Sequence, residues 1–289
     1  GSAVSLYFKD YFDVISTYTK HKVTINSCET VYLDITGAKN TVNAIKKIKP
    51  NVIVHTAALV GITICEKESE LAYKVNVEGT KNIVNAAKNT KSKIIYISTD
   101  YVFDGKKGMY KESDEPNPIN YYGKTKQEGE KLINLKNNVI IRTSIFGWNI
   151  VKERKSFSTW IIDELTNNKK INVFFDQLNS MMLVNNCAEA LKEIIDKDLT
   201  GIWNIASSER ISKYDFAIRL AELFNLDKSL MSPIKNNDIA GYEKRPLDVS
   251  LDVRKAKKFL KIKLMSVNES LLKMKKLKEY SYLNNFKVV

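Results

Sequence analysis

The sequence is poor in the residues that staple or metallate a fold. Of 289 residues, three are cysteine and two are histidine. Cys28, Cys65 and Cys187 are scattered and odd in number, which is neither a disulfide framework nor a metal-ligand spacing. Such cysteine usage implies a reducing compartment, and the expected location is the cytoplasm. With only His21 and His55, a histidine-rich zinc site is excluded, and no metal is expected. Eleven glycines and five prolines exclude a collagen-like chain. No apolar run reaches the ~18 residues of a membrane-spanning helix. The stretch Gly1–Phe8 lacks the basic start and long apolar core of a secretory signal, so none is expected there.

What is present is ordinary for a globular protein: 44% hydrophobic and 27% charged residues. The length suits one large domain or two modest ones. Acidic residues are outnumbered, and the formal net charge is +13. The lysines are spread along the whole chain, as on a solvated basic surface. Their field would attract anionic ligands such as nucleotides. No motif interleaving basic and aromatic residues points to nucleic acid.

The first half alternates short strand-like runs with helical patterns. Asp13–Tyr18, Asn51–His55, Lys93–Ile97 and Asn138–Ile141 read as strands, and KIIYI at Lys93–Ile97 suits a parallel strand buried on both faces. Gly1–Phe8, Thr41–Ile48, Glu70–Asn89 and Tyr122–Leu135 read as helices. This alternation predicts a doubly wound parallel sheet. The second half is less regular: helices over Phe157–Asn167, Asn186–Ile195, Lys213–Phe224 and Val267–Lys278, extended pieces at Asn172–Phe175 and Ile202–Ile205, and a polar loop at Pro233–Pro246.

One cluster carries chemistry. Ser98-Thr99-Asp100-Tyr101-Val102-Phe103-Asp104-Gly105 directly follows the KIIYI strand, and the carboxyl ends of strands are where open α/β sheets bind ligands. Tyr122 and Lys126 are four residues apart at the start of a helix, hence on one face. A tyrosine is a poor acid–base at neutral pH, but a nearby ammonium favours the phenolate and lowers its pKa. The tyrosine can then exchange a proton with a carbonyl oxygen that Thr99 also holds.

In these residues the chain resembles the extended short-chain dehydrogenase/reductase superfamily, whose signature is Tyr-x-x-x-Lys with an upstream Ser/Thr. Within it, the closest likeness is to the dTDP-4-dehydrorhamnose reductases. The matching pieces, in order, are LDIT at Leu33–Thr36, KPNVIVHTAA at Lys49–Ala58, CEKESELAYKVNVEGTKNIV at Cys65–Val84, STDYVFDG at Ser98–Gly105 and NYYGKTKQEGE at Asn120–Glu130. RTSIFG at Arg142–Gly147, FDQ at Phe175–Gln177, GIWNIA at Gly201–Ala206 and RPLDVSLD at Arg245–Asp252 continue the series.

The resemblance implies an α/β, NAD(P)-binding Rossmann-type doubly wound parallel sheet with a smaller C-terminal substrate-binding domain. Residues 1–150 plus about 176–206 would form the cofactor domain, and about 151–175 and 207–289 the smaller one. It implies NADPH (or NADH) and reduction of a 4-keto group on a nucleotide-linked deoxysugar, with dTDP-4-dehydro-L-rhamnose the expected substrate. Carried over residue by residue, Thr99, Tyr122 and Lys126 are catalytic. Gly1, Lys20, Asp34, Ile35, Ala57, Ala58, Leu59, Asn76, Ser98, Tyr122, Lys126 and Ser144 would face the cofactor. Thr99, Asp100, Tyr101, Val102, Phe103, Ile145, Gln177 and Arg245 would face the sugar nucleotide. Asn76 would help order a proton-relay water. Basic residues Lys20 and Lys22 after the second strand suit a 2′-phosphate, or else form a charged turn. Asp34 would flank adenine, or else serve as a turn or cap residue. The resemblance admits a homodimer.

The departures are equally specific. The superfamily opens with a strand and a Gly-x-x-Gly-x-x-Gly turn that cradles the pyrophosphate at a helix N-terminus. Here Gly1 falls at the place of the third glycine, so a strand and loop of about fifteen residues are expected ahead of it. After Arg142-Thr143-Ser144 stands Ile145, where these reductases often carry tryptophan; Asn179-Ser180-Met181-Met182 replaces Gly-Ser-Pro-Thr. Epimerases and dehydratases of the same superfamily are an alternative. Asp100 suits a dehydratase, while Tyr101 in place of a following Glu favours the reductase. A second alternative is a non-catalytic regulatory subunit like that of methionine adenosyltransferase.

Overall fold

The computed structural model describes residues 1–151, 155–238, 244–279 and 282–288. The chain runs α1 (Ser2–Phe8), β1 (Ile15–Tyr18), β2 (Val23–Ile25), β3 (Glu29–Tyr32), α2 (Ala38–Ile48), β4 (Val52–His55), α3 (Ile62–Lys67), α4 (Ser69–Tyr73), α5 (Gly79–Thr90) and β5 (Lys93–Ile97). Then come α6 (Tyr121–Lys131), β6 (Val139–Arg142), β7 (Ile145–Phe146), α7 (Phe157–Thr166), β8 (Ile171–Phe174), β9 (Leu178–Asn179), β10 (Met182–Leu183), α8 (Val184–Asp196) and β11 (Gly201–Asn204). Last are β12 (Ile211–Ser212), α9 (Lys213–Phe224), β13 (Met231–Ile234), α10 (Arg254–Phe259), α11 (Val267–Glu279) and β14 (Phe286–Val288).

The central sheet is four-stranded and wholly parallel, in the order β11-β6-β5-β4. Its side chains alternate between two cores, as the pleat requires. Ile95, Val139 and Ile141 face α1 and α8, packing with Val4, Phe8, Leu191 and Ile194. Ile94, Tyr96 and Ile140 face the other side, with Leu33, Ile35, Ile83 and Ala87. A sheet with both faces buried explains why KIIYI is apolar without alternation. The expected α/β doubly wound fold is therefore the observed one. β1 and β3 pair parallel in a separate two-stranded sheet, and among the described residues no strand joins that pair to β4.

A further core joins α7, α9 and α11 to β8 and β13 through Ile161, Leu165, Val173, Phe216, Leu220 and Leu271. The segment holding Val249, Leu251, Val253, Leu260 and Leu264 packs with the sheet core, although the sequence-based division assigns it to the smaller unit.

Two expected elements change. The single helix over Glu70–Asn89 is instead α4, a π-helical turn at Lys74–Glu78 and α5. The π turn takes up one extra residue per turn and carries Asn76 inward, 1% exposed. The helix over Tyr122–Leu135 ends at Lys131, since Leu132 and Ile133 bond back in tight turns that send Ile133 into the core. The polar loop at Pro233–Pro246 contains the end of β13 and a short 3₁₀ turn at Asn236–Asp238, and its residues 239–243 lie outside the described ones.

Candidate active site

Thr99 ends the extended run of β5 and caps the 3₁₀ turn Asp100–Val102, its hydroxyl accepting from the Tyr101 N–H at 3.2 Å. Helix α6 comes down beside that turn. Its N-cap is Asn120, whose Oδ1 accepts from Gly123 N–H at 2.8 Å. Gly123 has to be glycine, because a Cβ there would overlap the Tyr101 carbonyl. This close approach sets Tyr122 edge-on to Tyr101, ring centroids 6.3 Å apart, with Thr99 beside it. The pattern therefore brings Thr99, Asp100, Tyr101 and Tyr122 into one corner.

Lys126, one turn farther along α6, is 3% exposed, and its ammonium lies 4.0 Å over the Tyr96 ring. Gly129 makes room for that ring: a Cβ there would overlap the Tyr96 hydroxyl. Burial lowers Lys126 to about 7, with Glu130 opposing. The expectation that Lys126 lowers the pKa of Tyr122 is corrected. Burial pushes the Tyr122 hydroxyl up, the Thr99 contact works the other way, and Asp100 and Cys65 push it up further. Lys126 faces the Tyr96 ring, and the neighbours that act most on Tyr122 are Thr99, Asp100, Cys65 and Tyr101.

Asn76 clamps the loop after β4 to α6. Its Oδ1 accepts from Leu59 N–H at 2.7 Å, and its Nδ2 donates to the Leu59 carbonyl at 3.1 Å and to Thr125 Oγ1 at 2.9 Å. With three hydrogen bonds to Leu59 and Thr125, its amide positions the loop against α6. Ser98 donates to Glu130 Oε1 at 2.5 Å, and Glu130 is held by Arg142 Nη2 at 2.8 Å in a buried pair. The Ser98 side chain thus completes that pair instead of facing a cofactor.

Other expectations are also redirected. Val102 and Phe103 are 0% exposed, with Phe103 stacked 4.2 Å from Tyr110, so neither side chain reaches a substrate. Ile35 is a core residue against the backbone of Gly79. Asp34 accepts from Thr36 N–H at 2.9 Å and Thr36 Oγ1 at 2.8 Å, which is the turn role. Lys20 is exposed just beyond β1. Ala57, Ala58 and Leu59 form the partly exposed loop at the carboxyl end of β4. At the same edge of the sheet, a Cβ on Gly1 would come 3.0 Å from Thr56 Oγ1, so Gly1 lies beside the carboxyl end of β4. These residues fit a dinucleotide.

A cavity of about 270 Å³ adjoins this corner, lined by Phe157, Trp160, Asn172, Phe174, Lys213 and Arg245 among others. Lys213 opens α9; its ammonium donates to Gln177 Oε1 at 2.5 Å and lies 3.5 Å from the Tyr101 hydroxyl, which joins cavity to corner. Burial, and then Arg245, lowers Lys213 to about 8, with Asp100 opposing. Gln177 is 2% exposed and also donates to Asn236 Oδ1 at 2.7 Å, so it braces Lys213. Arg245 Nη2 reaches Thr63 Oγ1 at 3.4 Å across the cleft. Ser144 lies near Asp100 and helps hold its carboxyl down, and Ile145 is 49% exposed.

Sequence reasoning missed Lys213, Phe157, Trp160 and Asn179. Only the aromatic pair at i, i+3 on α7 left a trace in the pattern. Among the described residues no helix is long and apolar enough to cross a membrane.

The profile of the family described as "RmlD substrate binding domain" matches residues 12–279. Methionine adenosyltransferase 2 subunit beta of Bos taurus is 34% identical over 213 residues, 71% of this chain and 63% of that protein's length. dTDP-4-dehydrorhamnose reductase of Aggregatibacter actinomycetemcomitans is 32% identical over 237 residues, 77% of this chain and 80% of that one. Among solved structures, a hypothetical dTDP-4-dehydrorhamnose reductase from Sulfolobus tokodaii superposes with a TM-score of 0.82 at 35% identity, covering 92% of this chain and 94% of that one. The dTDP-4-dehydrorhamnose reductase from Bacillus anthracis, solved in complex with NADP, gives 0.78 at 27% identity, covering 86% and 90%.

Proposed function

The chain belongs to the RmlD substrate binding domain family, a branch of the sugar-nucleotide reductases of the extended short-chain dehydrogenase/reductase superfamily, and from that membership we propose that it reduces the 4-keto group of dTDP-4-dehydro-L-rhamnose with NADPH (or NADH). The observation that carries the reading is the meeting of Thr99 and Tyr122, one helical turn from Lys126, beside a cavity that is aromatic and basic.

Gly1, Lys20, Ala57, Ala58, Leu59 and Lys126 would hold the dinucleotide. When bound, it supplies hydride to C4 of the sugar. Tyr122 gives its proton to the developing alkoxide on O4, and Thr99 holds the same oxygen. Lys126 steadies the ribose. Phe157 and Trp160, stacked at 6.0 Å and 21°, offer a face to the nucleobase, and Lys213 and Arg245 offer charge to the pyrophosphate. Such a reductase works in the cytoplasm toward surface polysaccharide. The test is NADPH oxidation followed at 340 nm with dTDP-4-dehydro-L-rhamnose. Wild-type turnover that Tyr122→Phe abolishes supports the reading, and no turnover with any dTDP-4-keto sugar refutes it.

The 34% identity to a methionine adenosyltransferase subunit favours a second reading, a non-catalytic regulatory subunit. On that reading Tyr122→Phe is indifferent, and the protein instead changes the kinetics of an added methionine adenosyltransferase catalytic subunit.

A further inference from the structure

Two cations line the cavity, Lys213 and Arg245, and among the described residues lining it none is acidic. Asp100 lies nearby, but its carboxylate takes its bonds elsewhere. Oδ1 accepts from the Thr99 hydroxyl at 3.0 Å, and Oδ2 accepts from Asn179 Nδ2, on β9, at 2.6 Å. The charge on Lys213 is therefore left for a ligand.

What holds the two cations is a chain of amides. An ammonium only donates, so Gln177 has to turn its Oε1 toward Lys213, 2.5 Å away. That leaves Gln177 Nε2 to donate to Asn236 Oδ1 at 2.7 Å. The Asn236 amide is thereby turned so that its Nδ2 donates to the Arg245 carbonyl at 3.2 Å. The charge at one end sets the direction of every bond, and each bond polarises the next. The backbone adds to the chain. The Lys213 N–H donates to the Gln177 carbonyl at 2.9 Å, and the Asn236 N–H meets both carboxylate oxygens of Asp176 at 3.0 and 2.9 Å. Asn236 and Arg245 are nine residues apart, so the last bond ties together the two ends of the segment between them. On their other sides the same cations reach across the cleft. Lys213 lies 3.5 Å from the Tyr101 hydroxyl, and Arg245 Nη2 lies 3.4 Å from Thr63 Oγ1.

We infer that Asn236 is a positioning residue that sets Lys213 and Arg245 as a pair for a diphosphate, one cation to each phosphate, so that the cavity selects nucleoside diphosphates over monophosphates. This rests on the proposed reading of the cavity as the seat of a sugar nucleotide. The bonds of Asn236 go to Asp176, Gln177 and Arg245, none of which belongs to the catalytic corner. Two cations already fixed lose little freedom when a diphosphate arrives, and its affinity gains by that amount. A monophosphate uses one cation and gains little from the fixing of the second.

The experiment is calorimetry of dTDP, dTMP and NADPH with wild type and Asn236→Ala, together with steady-state kinetics. The dTDP dissociation constant should rise about tenfold, the scale of one lost hydrogen bond, while those of dTMP and NADPH stay within about twofold. KM for dTDP-4-dehydro-L-rhamnose should rise by the same factor with kcat unchanged, since the interaction lost is equal in ground and transition states. An equal loss for dTDP and dTMP overturns the inference, because a merely slackened cavity weakens both, and so does no change in either. If Asn236→Ala fails to fold, Asn236→Ser decides by the same ratio, since its hydroxyl is too short to bridge both partners. A wild type that does not bind dTDP refutes the proposed occupant of the cavity, and inorganic pyrophosphate then becomes the probe. Pyrophosphate affinity that Asn236→Ala lowers supports the pairing; affinity that it leaves unchanged, or no pyrophosphate binding by wild type, overturns it.

Discussion

The catalytic corner and the cavity beside it are built by different rules. The corner comes from two short stretches, Ser98–Asp104 and Asn120–Glu130, each made by one strand end or one helix turn. Its close approaches are enforced by Gly123 and Gly129, where any side chain would collide. The cavity draws Phe157 and Trp160 from α7, Asn172 and Phe174 from β8, Lys213 from α9 and Arg245 from a loop. Residues that do the chemistry are thus locked by local geometry, whereas those that would choose the substrate are assembled by packing between distant elements. One scaffold can keep its reaction while its ligand changes.

The strongest way to break this contrast is Tyr122→Phe. Turnover should fall at least ~10³-fold, within the range for a lost positioned acid, while dTDP binding measured by calorimetry stays unchanged. A loss of dTDP affinity would mean that corner and cavity are one unit. Next is Glu130→Ala, which leaves the Arg142 guanidinium buried without its partner. Urea unfolding should show a loss of about 3–5 kcal/mol. A milder loss would mean that the corner is held by its turns alone.

Lys213→Gln probes the cavity side. The dTDP dissociation constant should rise about tenfold, which is ~1.4 kcal/mol, with kcat little changed. In wild type, Lys213 titrates near 8, so its charge is present below that pH and lost above it. Affinity for dTDP should therefore decline between pH 7 and 9, and the variant should lose that part of the decline. The smallest effect is expected at Tyr96→Leu. Removing the ring under Lys126 forfeits a buried cation–π contact and moves the Lys126 pKa further down. Tyr96→Phe, which keeps the ring, should leave it in place; the pH dependence of NADPH binding reads both.

Much of the fold was legible because its signals are short-range. β5 was read to the residue, and α9 likewise, since a buried parallel strand and an amphipathic helix declare themselves by period. The π turn at Lys74–Glu78 was not legible, because a single extra residue inside a helical run barely disturbs its periodicity. The errors at the site have a similar origin. Val102 and Phe103 stand between Tyr101 and Asp104 in one motif, yet a 3₁₀ turn swings them into the core. Ser98 adjoins Thr99, but strand alternation points it at Glu130.

By itself the sequence determined the parallel sheet, the meeting of Tyr122 and Lys126 on one helix face, and the place of Thr99 at a strand end. Periodicity and spacing encode these within a few residues. Tertiary structure alone decided the direction of the Tyr122 pKa shift, the seat of Lys126 over Tyr96, the bond from Asn179 to Asp100 and the makeup of the cavity. Each depends on burial or on contacts between residues far apart in the chain. Desolvation and long-range hydrogen bonds exist only once the elements have packed.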